Sequence, residues 1–186
     1  FMPEISTMYA SFEPTLLAPA SKAYILEGFS RPGHFDGVLR VVLKLFNLTQ
    51  PSRAYFGKKD AQQLYLIQNM VKTFFLDVEI IPCEIIREDD GLALSSRNVY
   101  LDQEQRNEAL FISKSLKIAT RLIMAGERDV APIKAEMLST LASLHVEYVE
   151  ILNRDFDTIA SIEIGNSIIL VCAKVGTTRL IDNLWI

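Results

Sequence analysis

Histidine and cysteine are scarce, with two of each in 186 residues. Cys83 and Cys172 cannot supply a four-ligand zinc site, and nothing around them suggests a disulfide scaffold. They read as small core hydrophobes in a reducing compartment. His34 has no metal-ligand partner at a suitable spacing, and His145, between Leu144 and Val146, reads as a surface or packing residue. No metal site is expected. Positive charge is not in excess either. A net charge of -4 gives no overall basic field for nucleic acid, though it permits a local basic pocket for a small anion. Long apolar runs are missing too. A membrane-spanning helix needs about 20 apolar residues, and the longest apolar strand core, residues 168–173, is far shorter. No charged-then-apolar signal segment stands at Phe1, so a cytoplasmic protein is expected. The start at Phe1 points to a piece of a longer chain. A Walker A loop, a dinucleotide-binding glycine fingerprint and a nucleophile elbow are all absent.

What is present is core-forming material: 49% of residues are hydrophobic, ordinary for a globular protein. Val38, Val41, Val42, Leu45 and Phe46 recur on one helical face, with Asn47 and Pro51 as stops. A short buried strand is expected at residues 54–56. Leu64, Ile67, Met70 or Val71, and Phe74 mark a second helix, with Asp60 and Gln63 as a capping box. A second strand region covers residues 78–86, bent or one-sided at Pro82. Helix, strand, helix, strand with short connections predicts a parallel, doubly wound α/β sheet. Beyond residue 100 the pattern changes. Asp102 and Gln105 form another capping box, and Ala109, Ile112, Leu116, Ala119 and Ile123 carry a long helix to Gly126. Asp129 caps a shorter helix reaching Leu141, and strands follow near residues 146–152, 167–175 and 178–181. These predict a small C-terminal α+β domain, so that residues 1–99 and 100–186 form two parts.

Two segments suit an anion. Gly57-Lys58-Lys59-Asp60 lies where a strand ends and a helix begins. Glycine admits close approach, the helix start offers N–H groups, and two lysines add charge. It is equally readable as a turn with a cap and solvated lysines. The segment from Arg87 to Asn98 follows the next strand and should emerge at the same sheet edge. Ser95, Ser96 and Arg97 offer hydroxyl and guanidinium donors, whereas Glu88-Asp89-Asp90 reads as a solvated run and Ser95 as an alternative turn cap. Gln62 and Gln63 can each hydrogen-bond a small polar ligand.

Ser30-Arg31-Pro32-Gly33-His34-Phe35, Lys44-Leu45-Phe46-Asn47, the stretch from Phe56 to Leu64, the stretch from Asp90 to Asn98, and Arg179-Leu180-Ile181-Asp182-Asn183 occur in that order. Together they resemble successive blocks of the pantothenate synthetase (pantoate–β-alanine ligase) family. The resemblance implies a partial Rossmann-like parallel sheet of nucleotidylyl transferase type. It implies ATP accompanied by Mg2+, (R)-pantoate and β-alanine as substrates, no tightly bound cofactor, and a homodimer with no nucleic-acid or membrane partner. The implied reaction passes through pantoyl adenylate to pantothenate, AMP and pyrophosphate. By resemblance Gly57, Lys58, Lys59, Asp60, Ile86, Leu94, Ser95, Ser96 and Arg97 are ATP-binding, Lys59 and Arg97 catalytic, and Gln63 pantoate-binding. Lys58 stands where the family usually has glutamate. The family's His-x-Gly-His motif does not occur in these residues, so they are expected not to adenylate pantoate at a useful rate alone. The alternatives are a non-catalytic nucleotide-binding or lid fragment, and another acid–amine ligase of the same superfamily.

Overall fold

The computed structural model describes residues 2–186, and the chain divides into two compact units, Phe1–Cys83 and Glu84–Ile186. In the first unit, three one-turn helices, α1 (Ile5–Met8), α2 (Ala20–Ala23) and α3 (Glu27–Ser30), precede the long α4 (His34–Thr49). The irregular start is tied to α4 by charge. Lys44 donates to the Met8 carbonyl and to Glu13, and Arg40 lies 3.2 Å from the same carboxylate. Hydrogen bonding from Lys44 is the main reason the Glu13 carboxyl sits below its ordinary pKa.

Helix α4 runs past Asn47, the expected stop, and ends at Gln50, whose φ of 44° is left-handed. Proline bars continuation: the ring of Pro51 excludes the right-handed helical conformation from the residue before it. The buried face is set by Phe35 and Leu39, with Val38, Val42 and Phe46 packed beside them; Leu45 falls outside the expected stripe and is exposed.

Strand β1 (Arg53–Gly57) pairs in parallel with β2 (Glu79–Cys83), and α5 (Ala61–Thr73) crosses between them. Parallel strands require such a crossover, so the expected α/β arrangement is present. β1 is not buried as expected but alternates between exposed and half-buried residues. β2 stops at Cys83, short of residue 86, with Pro82 opposite Phe56. Leu64, Ile67 and Met70 of α5 are buried, whereas Phe74 is the C-cap and 52% exposed.

In the second unit a 3-10 turn (Ser96–Tyr100) leads into α6 (Gln103–Met124). The expected capping box is formed: Gln105 N donates to Asp102 Oδ1 at 2.8 Å, and Asp102 N to Gln105 Oε1 at 3.3 Å. All five expected apolar residues of α6 are buried, and Gly126 takes the left-handed φ of 102° that favours glycine beyond a helix end. Asp129 precedes α7 (Val130–Thr140), but its side chain makes no cap. Just ahead of the helix, Glu127 accepts the backbone N–H groups of Arg128 and Asp129, each at 2.8 Å. Strands β3 (His145–Asn153), β4 (Ser167–Val175) and β5 (Thr178–Trp185) form an antiparallel sheet with β4 in the middle. The helices and this sheet share one core, which includes Ile112, Ile133, Met137, Ile169 and Val171. Cys172 is buried in β4, and Cys83 is half-buried; the two are not joined in a disulfide.

The register of β3 on β4 shifts between Val146 and Tyr148, leaving Glu147 at an irregularity. Its carboxylate accepts Arg179 Nε at 2.7 Å and lies 3.2 Å from Lys174 Nζ. Burial pushes the Glu147 pKa up, but the bonds from Arg179 and Lys174 outweigh it and bring it from 4.5 to about 2. A folded pKa below the unfolded one adds stability that is complete above pH 4.5 and is lost as pH falls through about 2. Glu147→Gln is therefore expected to cost about 1–2 kcal/mol near neutrality, allowing for solvent screening. The gap from the parent protein should close below about pH 2. Urea titrations at several pH values check this; a gap independent of pH would remove the charge from the explanation.

Candidate active site

In the first unit, Gly57 pairs with Cys83 at the C-terminal ends of the two parallel strands, and Lys58 N extends the pairing by donating to Cys83 O at 2.8 Å. Lys58 and Lys59 are half-buried in the turn, and Asp60 is exposed at the N-cap of α5. The expected capping box is not formed, because the Asp60 side chain accepts no cap hydrogen bond. The first N–H groups of a 13-residue helix are thus not taken up by that carboxylate. Nor does local geometry require glycine at position 57. Its φ is not positive, and a β-carbon built there meets nothing within 4 Å. The open space beside this backbone is what close approach of a ligand needs.

The two glutamines at the start of α5 differ. Gln62 is 3% exposed: Nε2 donates to Lys22 O at 2.8 Å and Ile25 O at 2.9 Å, and Oε1 accepts from Glu27 N at 3.1 Å. Its amide holds the chain around α2 and α3, which removes Gln62 from the ligand candidates. Gln63 is half-buried, and its side chain makes no hydrogen bond among the described residues. His34 lies at the start of α4, tilted against Phe35 at 5.1 Å between ring centroids.

In the second unit, residues 86–94 form a narrow hairpin. Leu94 N donates to Ile86 O at 2.9 Å, Glu88 N to Leu92 O at 2.9 Å, and Gly91 N to Glu88 O at 2.8 Å. Gly91 has a φ of 95°, which demands glycine at this turn. Ile86 and Leu94 are exposed, so the hairpin brings together the two expected ATP contacts that flank it. Ser95 caps the 3-10 turn: its Oγ accepts from Arg97 N at 3.2 Å. Ser96 is exposed, and Arg97 Nη1 reaches Arg179 O at 3.4 Å.

The acidic run is not the solvated loop expected. Arg106, on the first turns of α6, donates Nε to Asp90 Oδ2 at 2.8 Å and Nη2 to Glu88 Oε2 at 2.6 Å. Bonds from Asn98 and then Arg106 hold the Glu88 carboxyl below its usual range, and the Leu92 N–H does most to lower Asp90. Arg87 grips Asp182 of β5 with both terminal nitrogens, at 2.6 and 3.0 Å, and Asp182 is 3% exposed. Neither Arg106 nor Asp182 is among the site residues expected from the sequence. Asp182 does carry a signal in the sequence: two residues after Leu180 in β5, it shares that residue's buried face, and a charge on a buried face needs a partner.

Parallel strands joined by a helix, with a glycine and two lysines at the strand ends, define an α/β protein of the class whose open parallel sheets place their ligand sites at that edge. A model of the Pantoate-beta-alanine ligase family matches residues 1–185, and the chain belongs to that family of ligases. It is 61% identical to the pantothenate synthetase of Aliarcobacter butzleri, over 100% of this chain and 68% of that protein. The crystal structure of pantothenate synthetase from Thermus thermophilus superposes with a TM-score of 0.91 at 35% identity, over 98% of this chain and 67% of that one. The pantoate-beta-alanine ligase of Francisella tularensis, solved in complex with beta-gamma ATP and beta-alanine, gives a TM-score of 0.66 at 34% identity. That match covers 94% of this chain and 57% of the other. Among the described residues no helix is long and apolar enough to cross a membrane, and no group of three or more His, Cys, Asp or Glu could hold a metal ion.

Proposed function

We propose that this chain belongs to an enzyme that condenses (R)-pantoate with β-alanine at the expense of ATP. The observation that carries the reading is a family match along residues 1–185 combined with an open, lysine-bearing strand end. A pantoate carboxylate oxygen attacks the α-phosphorus; an O–P bond forms, the bond to the β-phosphate oxygen breaks, and pyrophosphate leaves. The β-alanine amine then attacks the acyl carbon, the C–O bond to AMP breaks, and the amine gives up its proton to solvent. Both steps bring anions together, so catalysis is mainly positioning and charge stabilisation. In the first unit Gly57, Lys58, Lys59 and Asp60 contact ATP, with Lys59 neutralising charge at the reacting phosphate, and the Gln63 amide binds pantoate. In the second unit Ile86 contributes backbone groups to adenine, and Leu94, Ser95, Ser96 and Arg97 contact the phosphates. Mg2+ enters on the phosphate oxygens of ATP. By function, residues 1–99 carry the nucleotide and pantoate contacts and 100–186 act as the lid, a division that does not coincide with the two compact units, which meet at Cys83 and Glu84. The enzyme acts as a cytoplasmic homodimer.

AMP release by the protein encoded in full, with Mg-ATP, is expected only when pantoate and β-alanine are both present. Gln63→Ala should raise the KM for pantoate by about tenfold or more, as expected for the loss of one polar anchor, with little change in the KM for ATP. Preferred activation of a different carboxylic acid would replace this reading with another acid–amine ligase.

A further inference from the structure

Ser95, Ser96 and Arg97 sit on a connecting segment, and donors on a loop stabilise a transition state only where something outside the loop fixes them. The outside support begins at Arg106. Its guanidinium spans two carboxylates, Glu88 and Asp90, with Nη2 to Glu88 at 2.6 Å and Nε to Asp90 at 2.8 Å. The second oxygen of Glu88 accepts Asn98 Nδ2 at 2.5 Å, and the same nitrogen donates to Ala93 O at 3.1 Å. Asn98 is buried, directly follows Arg97, and closes the turn through its backbone N–H on Ser95 O at 3.1 Å. A continuous line of hydrogen bonds therefore runs from the first turns of α6, through the hairpin, into the turn that carries the phosphate donors.

The side chains of Arg106, Glu88 and Asp90 are each 27–30% exposed, so water screens part of the attraction among them. Helix α6 is anchored independently by Ala109, Ile112, Leu116, Ala119 and Ile123. What the three side chains do determine is the geometry of one segment. A guanidinium suits this task because its planar fork holds two carboxylates in a fixed relative geometry, which the rotatable donors of an ammonium do not impose.

We propose that Arg106 is a positioning residue for the reaction: through Glu88 and Asn98 it fixes the turn on which Ser95, Ser96 and Arg97 meet the triphosphate. This rests on the assignment of those three residues to ATP. Misplacing reacting groups by about 1 Å can cost roughly 10²-fold in rate.

The test compares Arg106→Gln, Arg106→Lys, Glu88→Gln and Arg97→Ala in the protein encoded in full. For Arg106→Gln, kcat/KM for ATP should fall by about 10–100-fold, with a raised KM for ATP and unchanged KM values for pantoate and β-alanine. Its Tm should fall by no more than about 4 °C. Arg106→Lys should lie between this variant and the parent, and Arg106→Gln combined with Glu88→Gln should be little worse than either alone, because both break one contact. Kinetics toward ATP within twofold of the parent in Arg106→Gln would overturn the proposal. So would a lower kcat that follows the loss of folded protein at constant KM. Should Arg106→Gln not fold, Glu88→Gln is read by the same criteria. Arg97→Ala separates the two levels. If it leaves ATP kinetics intact, the phosphate assignment fails; if it is severely impaired while Arg106→Gln is silent, only the positioning role fails.

Discussion

Lys59→Ala is expected to lower kcat for AMP formation by about 10²–10³-fold, corresponding to about 3–4 kcal/mol of transition-state stabilisation. The KM for pantoate should change little. When the carboxylate attacks the α-phosphorus, negative charge gathers on the phosphate oxygens and on the departing pyrophosphate. Lys59 stands half-buried at a strand end beside the start of α5, and on the proposed assignment its charge would act there in a medium less polar than water, where it has more effect. Lys59→Arg keeps the charge but moves it, so partial recovery of kcat is expected. Steady-state kinetics and a single-turnover measurement of adenylate formation would check the step affected. A change in kcat below about threefold would return Lys59 to the solvated turn residue that the local sequence equally allows. Loss of pantoate affinity alone would make it a binding residue instead.

Asp182→Ala is expected to destabilise the protein by about 2–3 kcal/mol in urea denaturation. Asp182 accepts both terminal nitrogens of Arg87 and also the N–H of Asn183 at 2.8 Å, in a strand position where it is 3% exposed. Removing one member of a buried pair typically costs about 3–5 kcal/mol, because the other charge is left without compensation. Here the Arg87 side chain is 32% exposed and keeps Gly91 O at 3.2 Å, so water and that carbonyl recover part of the loss. Asp182→Asn preserves shape and should cost about half as much. A loss below about 0.5 kcal/mol for Asp182→Ala would place the pair among ordinary surface ion pairs.

Several parts of the fold were legible because they depend on neighbours in sequence. The capping box of α6 needs only Asp102 and Gln105, one turn apart, and the five buried positions of the same helix follow its period. The order of elements and the parallel βαβ unit followed from alternating helix and strand patterns. The same local rule failed at Asp60, where Gln63 stands three residues on, and at Asp129: neither aspartate side chain makes a cap hydrogen bond. A capping pattern states what a side chain can do, and surrounding groups decide which acceptor is used.

Within the candidate site the division is similar. The motif blocks identified the family from their residue types and order, and those same blocks defined the candidate contacts. The sequence could not separate Gln62 from Gln63, since adjacent residues of one type have equal chemistry. Tertiary structure separated them by packing Gln62 against the backbone of Lys22, Ile25 and Glu27, more than thirty residues away in the chain. Nor could an acidic run at residues 88–90 reveal that it would be held by an arginine on α6, or Arg87 that its partner lies 95 residues later on β5.

By itself, then, the sequence determined the family, the succession of helices and strands, and the stock of charged and polar groups available for phosphate chemistry. Helical periodicity, turns and residue identity act over a few positions, and they are written directly in the chain. Only the tertiary structure decided which polar groups are spent on holding the fold and which face outward. It also decided how the loop from Arg87 to Asn98 is braced. Such pairings depend on which surfaces the core brings within about 3 Å of one another, and that distance is a property of the packed molecule rather than of any segment.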